Sequence, residues 1–312
     1  MKNESRRAEV ASLLLVAHVA LISFATLAMV TLLAGEFPTW MQGPYTPRVF
    51  ELSWRYTGQA YVLLGLLAVL CHAGPRFGWG RSILLFTSAS LVALSSELLG
   101  TNFGVPFGAY HYTNMLGFRV NGDVPYVIPL SWSYMLYACL AMCGRMFRTD
   151  GRERPWTWAL AAGVMLTAWD IPLEVHMTNV SPVHWVWDMA AMPAWIPSFL
   201  TRGVFYGMPL TNWIGWILTA TLVARLMLAI VPAATWRRTV SPFSFPLVLY
   251  AANGLMPIAT TARHGLWGAT VLGIIAMGLP LGLALLHPAA DTSRSEVAPA
   301  AVGGLDRVAS VS

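Results

Sequence analysis

Asp170 and Glu174 stand four residues apart in "LTAWDIPLEVH", with Pro172 between them and His176 two residues further on. The run before them is apolar, so two carboxyl groups arrive where a hydrophobic helix ends. One carboxyl of a buried pair can keep its proton at neutral pH and serve as a general acid. A third acid, Glu97, lies in "LSSELLG", inside another apolar run. A charged group at the centre of a membrane helix costs about 2.5–3.5 kcal/mol on insertion scales, so Glu97 needs a reason. It can be a proton relay, a base that holds water, or the buried partner of His111. For Asp170 the competing reading is structural: an ion pair with Arg202 or Arg263, since ion pairs also perturb carboxyl groups.

Histidines 111, 176, 184 and 264 raise the question of a metal. His176 and His184 are eight residues apart and the other two are isolated, so no short ligand repeat forms. His184 and Asp188 would share a helix face, but two ligands do not complete a site. We expect no metal. There is no Walker loop, no glycine-rich dinucleotide turn and no aspartate-rich motif for magnesium diphosphate, which argues against nucleotide use and prenyl transfer. The nucleophile elbow of serine acyl transfer is missing too.

Around the acids the rings are dense. "FGAYHYT" and "HWVWD" interleave tyrosines and tryptophans with histidines and an acid. Elsewhere, at Trp40, Trp54, Trp79 and Trp156, aromatic residues need only the ordinary explanation of a membrane-interface belt. An acid, a second acid or histidine, and electron-rich rings in an apolar setting suit proton-initiated chemistry on a lipid-soluble alkene. Protonation makes a carbocation, ring faces stabilise it, and a held water or a second double bond captures it.

The elements that must position these groups are membrane helices. Of 312 residues, 56% are hydrophobic and 11% charged, against roughly 25% charged in soluble domains. Several apolar stretches reach the roughly 20 residues that cross a bilayer as helix. The pattern predicts an all-α, polytopic bundle of eight helices, over about 10–34, 55–73, 81–100, 125–147, 156–172, 210–231, 243–262 and 266–286. Ile171 precedes a proline and is biased out of helical geometry, which ends the fifth helix near there. The chain reads as one membrane domain over 1–287, with a disordered tail, 288–312, rich in Ala, Ser and Gly and without periodicity, so that nothing in it can bury surface. The N-terminal apolar run is too long for a signal sequence and reads as a retained helix.

Arginines alternate along the chain. Lys2, Arg6 and Arg7, then Arg76 and Arg81, then Arg145, Arg148, Arg152 and Arg154, then Arg237 and Arg238 fall on one side. The positive-inside rule makes that side cytoplasmic, with both termini there and loop 173–209 outside, in a cytoplasmic (inner) membrane. The net charge of +5 follows from these loops and implies no nucleic-acid partner. The opposite side collects Glu97, His111, Asp170, Glu174, His176, His184, Asp188, Asn212, Arg263 and His264. Ionisable groups gathered at one set of helix mouths mark a functional site. Cys71, Cys139 and Cys143 read as packing residues. A short internal echo, "NFGVPFGAYHY…VIPLSWSY" against "RGVFYGMPLTNWIGW", suggests that helices 3–4 and 5–6 are repeats around a shared cavity.

Five motifs, "ELLGTNFGVPFGAYHYTNMLG", "DVPYVIPLSWSYMLY", "LTAWDIPLEVHM", "HWVW" and "YGMPLTNWIGWILTA", resemble the membrane-integral carotenoid biosynthesis protein family, over about Glu97 to Ala220 and in the family's order. The family includes carotenoid 1,2-hydratases. The resemblance implies cofactor-independent addition of water to the terminal 1,2 double bond of a linear, lycopene- or γ-carotene-like carotenoid, giving a tertiary alcohol. It also implies membrane lipids as surroundings and other enzymes of the carotenoid pathway as neighbours. The family carries Asp followed by Pro where this chain has Glu174 and Val175, which bears on the role of Glu174 and on end-group choice.

On the residues themselves, Asp170 is assigned as proton donor and Glu97 or Glu174 as the base that positions water, with His111 and His184 as relay or orienting groups. Tyr110, Tyr112, Trp132, Trp169, Trp185 and Trp187 would line the cation pocket, and Asn212 would bond the water or the new hydroxyl. Two rivals remain. A carotenoid cyclase would use the same acid and cation but capture with an internal alkene. A carotenoid or lipid carrier, or an assembly scaffold, would do no chemistry.

Overall fold

Eight helices long and apolar enough to cross a membrane dominate the computed structural model, which describes residues 2–32, 39–147, 154–239 and 244–286. The proposed tail and Arg148 and Arg152 lie outside the described residues. In chain order the elements are α1 (Lys2–Leu27, continued by a π-helical turn Ala28–Leu32), α2 (Thr46–Phe77), α3 (Trp79–Phe103), β1 (Tyr110–Tyr112), β2 (Arg119–Val120), β3 (Val124–Pro125), α4 (Val127–Met146), α5 (Pro155–Asn179), β4 (Trp185–Trp187), α6 (Ser198–Thr201), β5 (Gly203–Phe205), β6 (Met208–Pro209), α7 (Leu210–Ile230), α8 (Ala233–Thr239), α9 (Ser244–Arg263) and α10 (Trp267–Leu286).

The burial pattern explains the layering. Every residue of α4 from Ser131 to Cys143 is buried, as expected of a helix that is apolar all round. It packs with α5 at the centre, and α2, α3, α7, α9 and α10 surround the pair. On the outer helices large apolar side chains such as Leu13, Ile83 and Leu218 stand exposed, in the manner of lipid-facing positions.

One expectation changes. The fifth helix does not stop at Ile171; α5 runs through Pro172 to Asn179. A proline inside a helix removes one backbone bond and crowds the preceding turn, and here tertiary packing carries it. The ring of Pro172 sits against Gly273 of α10, where a Cβ would come within 2.8 Å of Pro172 Cγ. Asp170 and Glu174 are therefore one helical turn apart on one face. The loops on the acid-bearing side contain three two-stranded antiparallel ribbons, β1–β4, β2–β3 and β5–β6.

The four helices of the suggested repeats, α3, α4, α5 and α7, do enclose a common cavity. Pro129 and Pro209 stand in the first turn of α4 and immediately before α7, where a missing N–H is harmless.

Candidate functional site

Alternation along two short strands builds the site. In β1 "YHY" and β4 "WVW" side chains point alternately to the two faces of the ribbon. The register pairs Tyr110 with Trp187, His111 with Val186, and Tyr112 with Trp185. Four rings therefore share the inner face, while His111 and Val186 share the outer one, where both are exposed. The ladder is extended by Asp188 N–H to the Ala109 carbonyl at 2.9 Å and Thr113 N–H to the His184 carbonyl at 2.9 Å.

Each pair of inner rings holds one carboxyl group. The Tyr110 and Tyr112 hydroxyls both donate to Oε2 of Glu97, the latter at 2.7 Å. The Trp185 indole N–H donates to Glu174, 3.1 Å from Oε2, and Trp187 donates to Oε1 at 2.6 Å. Gly100, one turn beyond Glu97, makes the first arrangement possible: a Cβ there would lie 2.9 Å from Tyr110 Cε1. Burial, and then the charge of Glu97, holds both phenols well above the ordinary tyrosine range, so both stay protonated donors.

Both carboxyl groups face one small cavity. Its wall includes Glu97 from α3, Ile128, Ser131 and Trp132 from α4, Trp169, Leu173 and Glu174 from α5, and Asn212 and Trp216 from α7. Phe107 and the four ribbon rings close it. Trp132 and Trp216 lie 4.2 Å apart between centroids, Trp169 meets Trp216 edge-on at 6.3 Å, and Tyr110 meets Trp187 at 5.2 Å. The volume is about 30 Å³, and a water needs roughly 10–15 Å³ on this measure. The space thus takes a water or two as it stands; the end of an alkene chain requires the rings to part.

Asp170 is fully buried but does not line this cavity. It stands one turn before Glu174, its Oδ2 accepts from Asn212 Nδ2 at 3.0 Å, and its Oδ1 has no hydrogen-bond partner. The ion pair considered for it does not form. Arg202 and Arg263 are exposed, and Arg263 donates to the carbonyl of Val30 at 3.2 Å. Nor does His111 partner Glu97, because the strand alternation turns it outward.

His184 lies apart from the carboxyl groups. It borders a larger, mostly apolar cavity of about 320 Å³ against α1 and α2, which His176 also lines and none of the three acids reaches. Burial lowers His184 to about 4, so the ring is neutral. His184 and Asp188 flank a strand rather than sharing a helix face; Asp188 instead caps the turn after β4, accepting from Ala190 and Ala191 N–H at 3.1 Å. Among the described residues no group of three or more His, Cys, Asp and Glu is placed to hold a metal ion.

Tyr110, Tyr112, Trp132, Trp169, Trp185, Trp187, Asn212, Glu97 and Glu174 are thus brought together. Sequence reasoning missed Phe107, Ile128, Ser131, Leu173 and Trp216. Trp216 was within reach, being one helical turn after Asn212. The others carry no chemical signal in the sequence and depend on how the helices pack.

A family model described as carotenoid biosynthesis protein matches residues 57–280. A bisanhydrobacterioruberin hydratase from Haloarcula japonica is 24% identical over 152 residues, 47% of this chain and 44% of that protein. The match thus spans less than half of that relative's length. No solved structure matches.

Proposed function

The chain belongs to the carotenoid biosynthesis protein family, and from that premise we propose that it is an enzyme adding water across the terminal 1,2 double bond of a linear carotenoid. The single observation that supports this most is the pair of carboxyl groups, Glu97 and Glu174, brought from two helices to one water-sized cavity with walls of tryptophan and tyrosine. The hydratase name of the Haloarcula japonica relative points the same way.

In this reading Asp170 and Glu174, one turn apart, hold one proton between them, and Glu174 is the member that delivers it. Protonation of C2 forms a C–H bond and leaves a tertiary cation at C1. The faces of Trp132, Trp169, Trp216 and Tyr110 stabilise that cation in a dry setting, a contribution of about 0.5–2 kcal/mol per ring. A water held by Glu97 attacks C1 and gives up a proton to that carboxylate, leaving a tertiary alcohol. The phenols of Tyr110 and Tyr112 keep Glu97 aimed, and in this reading its proton returns through cavity water to Glu174 once the alcohol leaves, which resets both carboxyl groups. Asn212 connects the Asp170 carboxyl to the cavity wall. Asp170 is thereby moved from proton donor to proton reservoir, because Glu174 and not Asp170 borders the cavity. A water-sized space at the acids favours capture by water over cyclisation, which has no use for it.

The test is expression in a bacterium that accumulates lycopene, under anaerobic conditions with chelator and in ¹⁸O-labelled water. We expect a new pigment heavier by one water per reacted end, with labelled oxygen. A product of unchanged mass would mean cyclisation, no product would point to a carrier, and a new oxygen that appears only in air and carries no label would mean oxidation.

A further inference from the structure

Far from the carboxyl groups in sequence, Asn253 of α9 sits at the centre of a buried hydrogen-bond network. Its Oδ1 accepts from Tyr134 O–H of α4 at 2.8 Å, and its Nδ2 lies 3.1 Å from Nε2 of His18 on α1. The His18 Nδ1 in turn lies 2.6 Å from the Tyr61 carbonyl of α2. These contacts agree on one proton arrangement: the amide donates to Nε2, and Nδ1–H donates to the carbonyl. Asn253, Tyr134 and His18 are all buried, so the network ties α1, α2, α4 and α9 at one depth.

One bond in this network is of another kind. The backbone carbonyl of Asn253 accepts from the indole N–H of Trp169 at 3.0 Å. In a regular helix that carbonyl would be occupied by the N–H of the residue four positions on. That residue is Pro257, which has no N–H. Prolines persist in membrane helices where a neighbouring group satisfies the carbonyl they release. Here the released carbonyl takes a side chain 84 residues away, and that side chain is a wall of the acid-lined cavity.

We infer that Pro257 and Asn253 are positioning residues for the proposed reaction: the proline releases the Asn253 carbonyl so that it fixes the Trp169 ring edge-on to Trp216 at the cavity. Trp169 has a single polar atom and one strong donor, so one acceptor at the indole nitrogen sets the direction of the whole ring. The face it then presents is the one a developing cation would meet. The positioning rests on the geometry of the hydrogen bond; its catalytic consequence rests on the function proposed above.

The experiment uses Pro257→Ala, Trp169→Phe and the double variant of the full chain in nanodiscs. Pro257→Ala restores a backbone N–H that competes for the Asn253 carbonyl while leaving the Asn253 side chain bonded. Ultraviolet resonance Raman difference spectra, each protein minus its Trp169→Phe counterpart, isolate the Trp169 indole. We expect its N–H marker to shift to the weakly bonded position in Pro257→Ala. With turnover on the hydration substrate, kcat should fall roughly 2- to 30-fold, the range of one desolvated ring–cation contact, with KM little changed. In the Trp169→Phe background Pro257→Ala should cost nothing further, because the two act through one bond. An unshifted indole marker would overturn the positioning directly, whatever the reaction. A shifted marker with additive kcat losses, or with wild-type kcat, would overturn its catalytic consequence. Should Pro257→Ala not fold, Pro257→Gly restores the same N–H and carries the same expectations. If no hydration is found in the parent protein, the Raman arm still decides the hydrogen bond.

Discussion

At the scale of the residue, the three acids differ in what surrounds them. Glu97 is held by two phenols and Glu174 by two indoles, whereas Asp170 has Asn212 on one oxygen and nothing on the other. An indole cannot give up its proton under ordinary conditions, so its bonds to Glu174 orient the carboxyl without competing for its chemistry. Glu174→Gln keeps the size and an acceptor oxygen for the indoles but removes the transferable proton. Turnover should fall by about 10²–10⁴-fold, the usual weight of a general acid, at normal protein amount in the membrane. Asp170→Asn should fall less, since Glu174 remains to face the cavity. His111→Ala is the matched comparison on the outer face of the ribbon, and its turnover should equal that of the parent. Product formation per folded molecule, with protein quantified in the same membranes, decides the order. Equal losses in Glu174→Gln and His111→Ala would remove Glu174 from the chemistry.

The elements impose the next condition. α5 carries Trp169, Asp170 and Glu174 along one stretch and must stay helical past Pro172 for Asp170 and Glu174 to share a face. It does so because α10 offers Gly273 as a seat for the proline ring. Gly273→Ala inserts a methyl group at 2.8 Å from Pro172 Cγ, and α10 must move away from α5. Overpacking of this kind costs about 1–3 kcal/mol. We expect a lower midpoint of thermal unfolding in detergent, and recovery of part of the loss in Gly273→Ala/Pro172→Ala, where Cγ at 2.8 Å and Cδ at 3.1 Å are gone and Cβ at 2.9 Å remains. Additive destabilisation in the double variant would show that the two helices do not meet through this contact.

For the whole molecule, one end of the bundle gathers arginines and the other gathers rings and acids. The mouths of α3, α4, α5 and α7 at the second end carry the ribbons, and the cavity lies just beneath them. On the proposed function, a polyene dissolved in the bilayer would bring its terminal double bond to this cavity. By the positive-inside rule we expect the opposite end in the cytoplasm. Reporter fusions at Arg152, between α4 and α5, and at Ala190, between α5 and α7, should report the cytoplasmic and the outer side respectively. Agreement between the two sites would contradict the odd number of crossings that separates them.

The sequence by itself determined the class of protein, the number of candidate spans and the end of the bundle that holds the candidate site. Those properties are set by local quantities: an apolar run long enough to cross a bilayer needs no partner to be recognised, and neither does a bias of arginines. It also contained most of the site, because buried acids and interleaved rings are rare enough in such a chain to stand out at Glu97, Glu174, Trp169 and Asn212. Tertiary structure alone decided which acid borders the cavity. It decided that His111 faces outward, since the pairing of β1 with β4 joins segments more than seventy residues apart. It also carried α5 through Pro172, where the local preference for a break is outweighed by a glycine on α10. A proline's missing N–H can be read from any sequence, but the indole that takes the released Asn253 carbonyl could be found only once α9 and α5 were packed side by side.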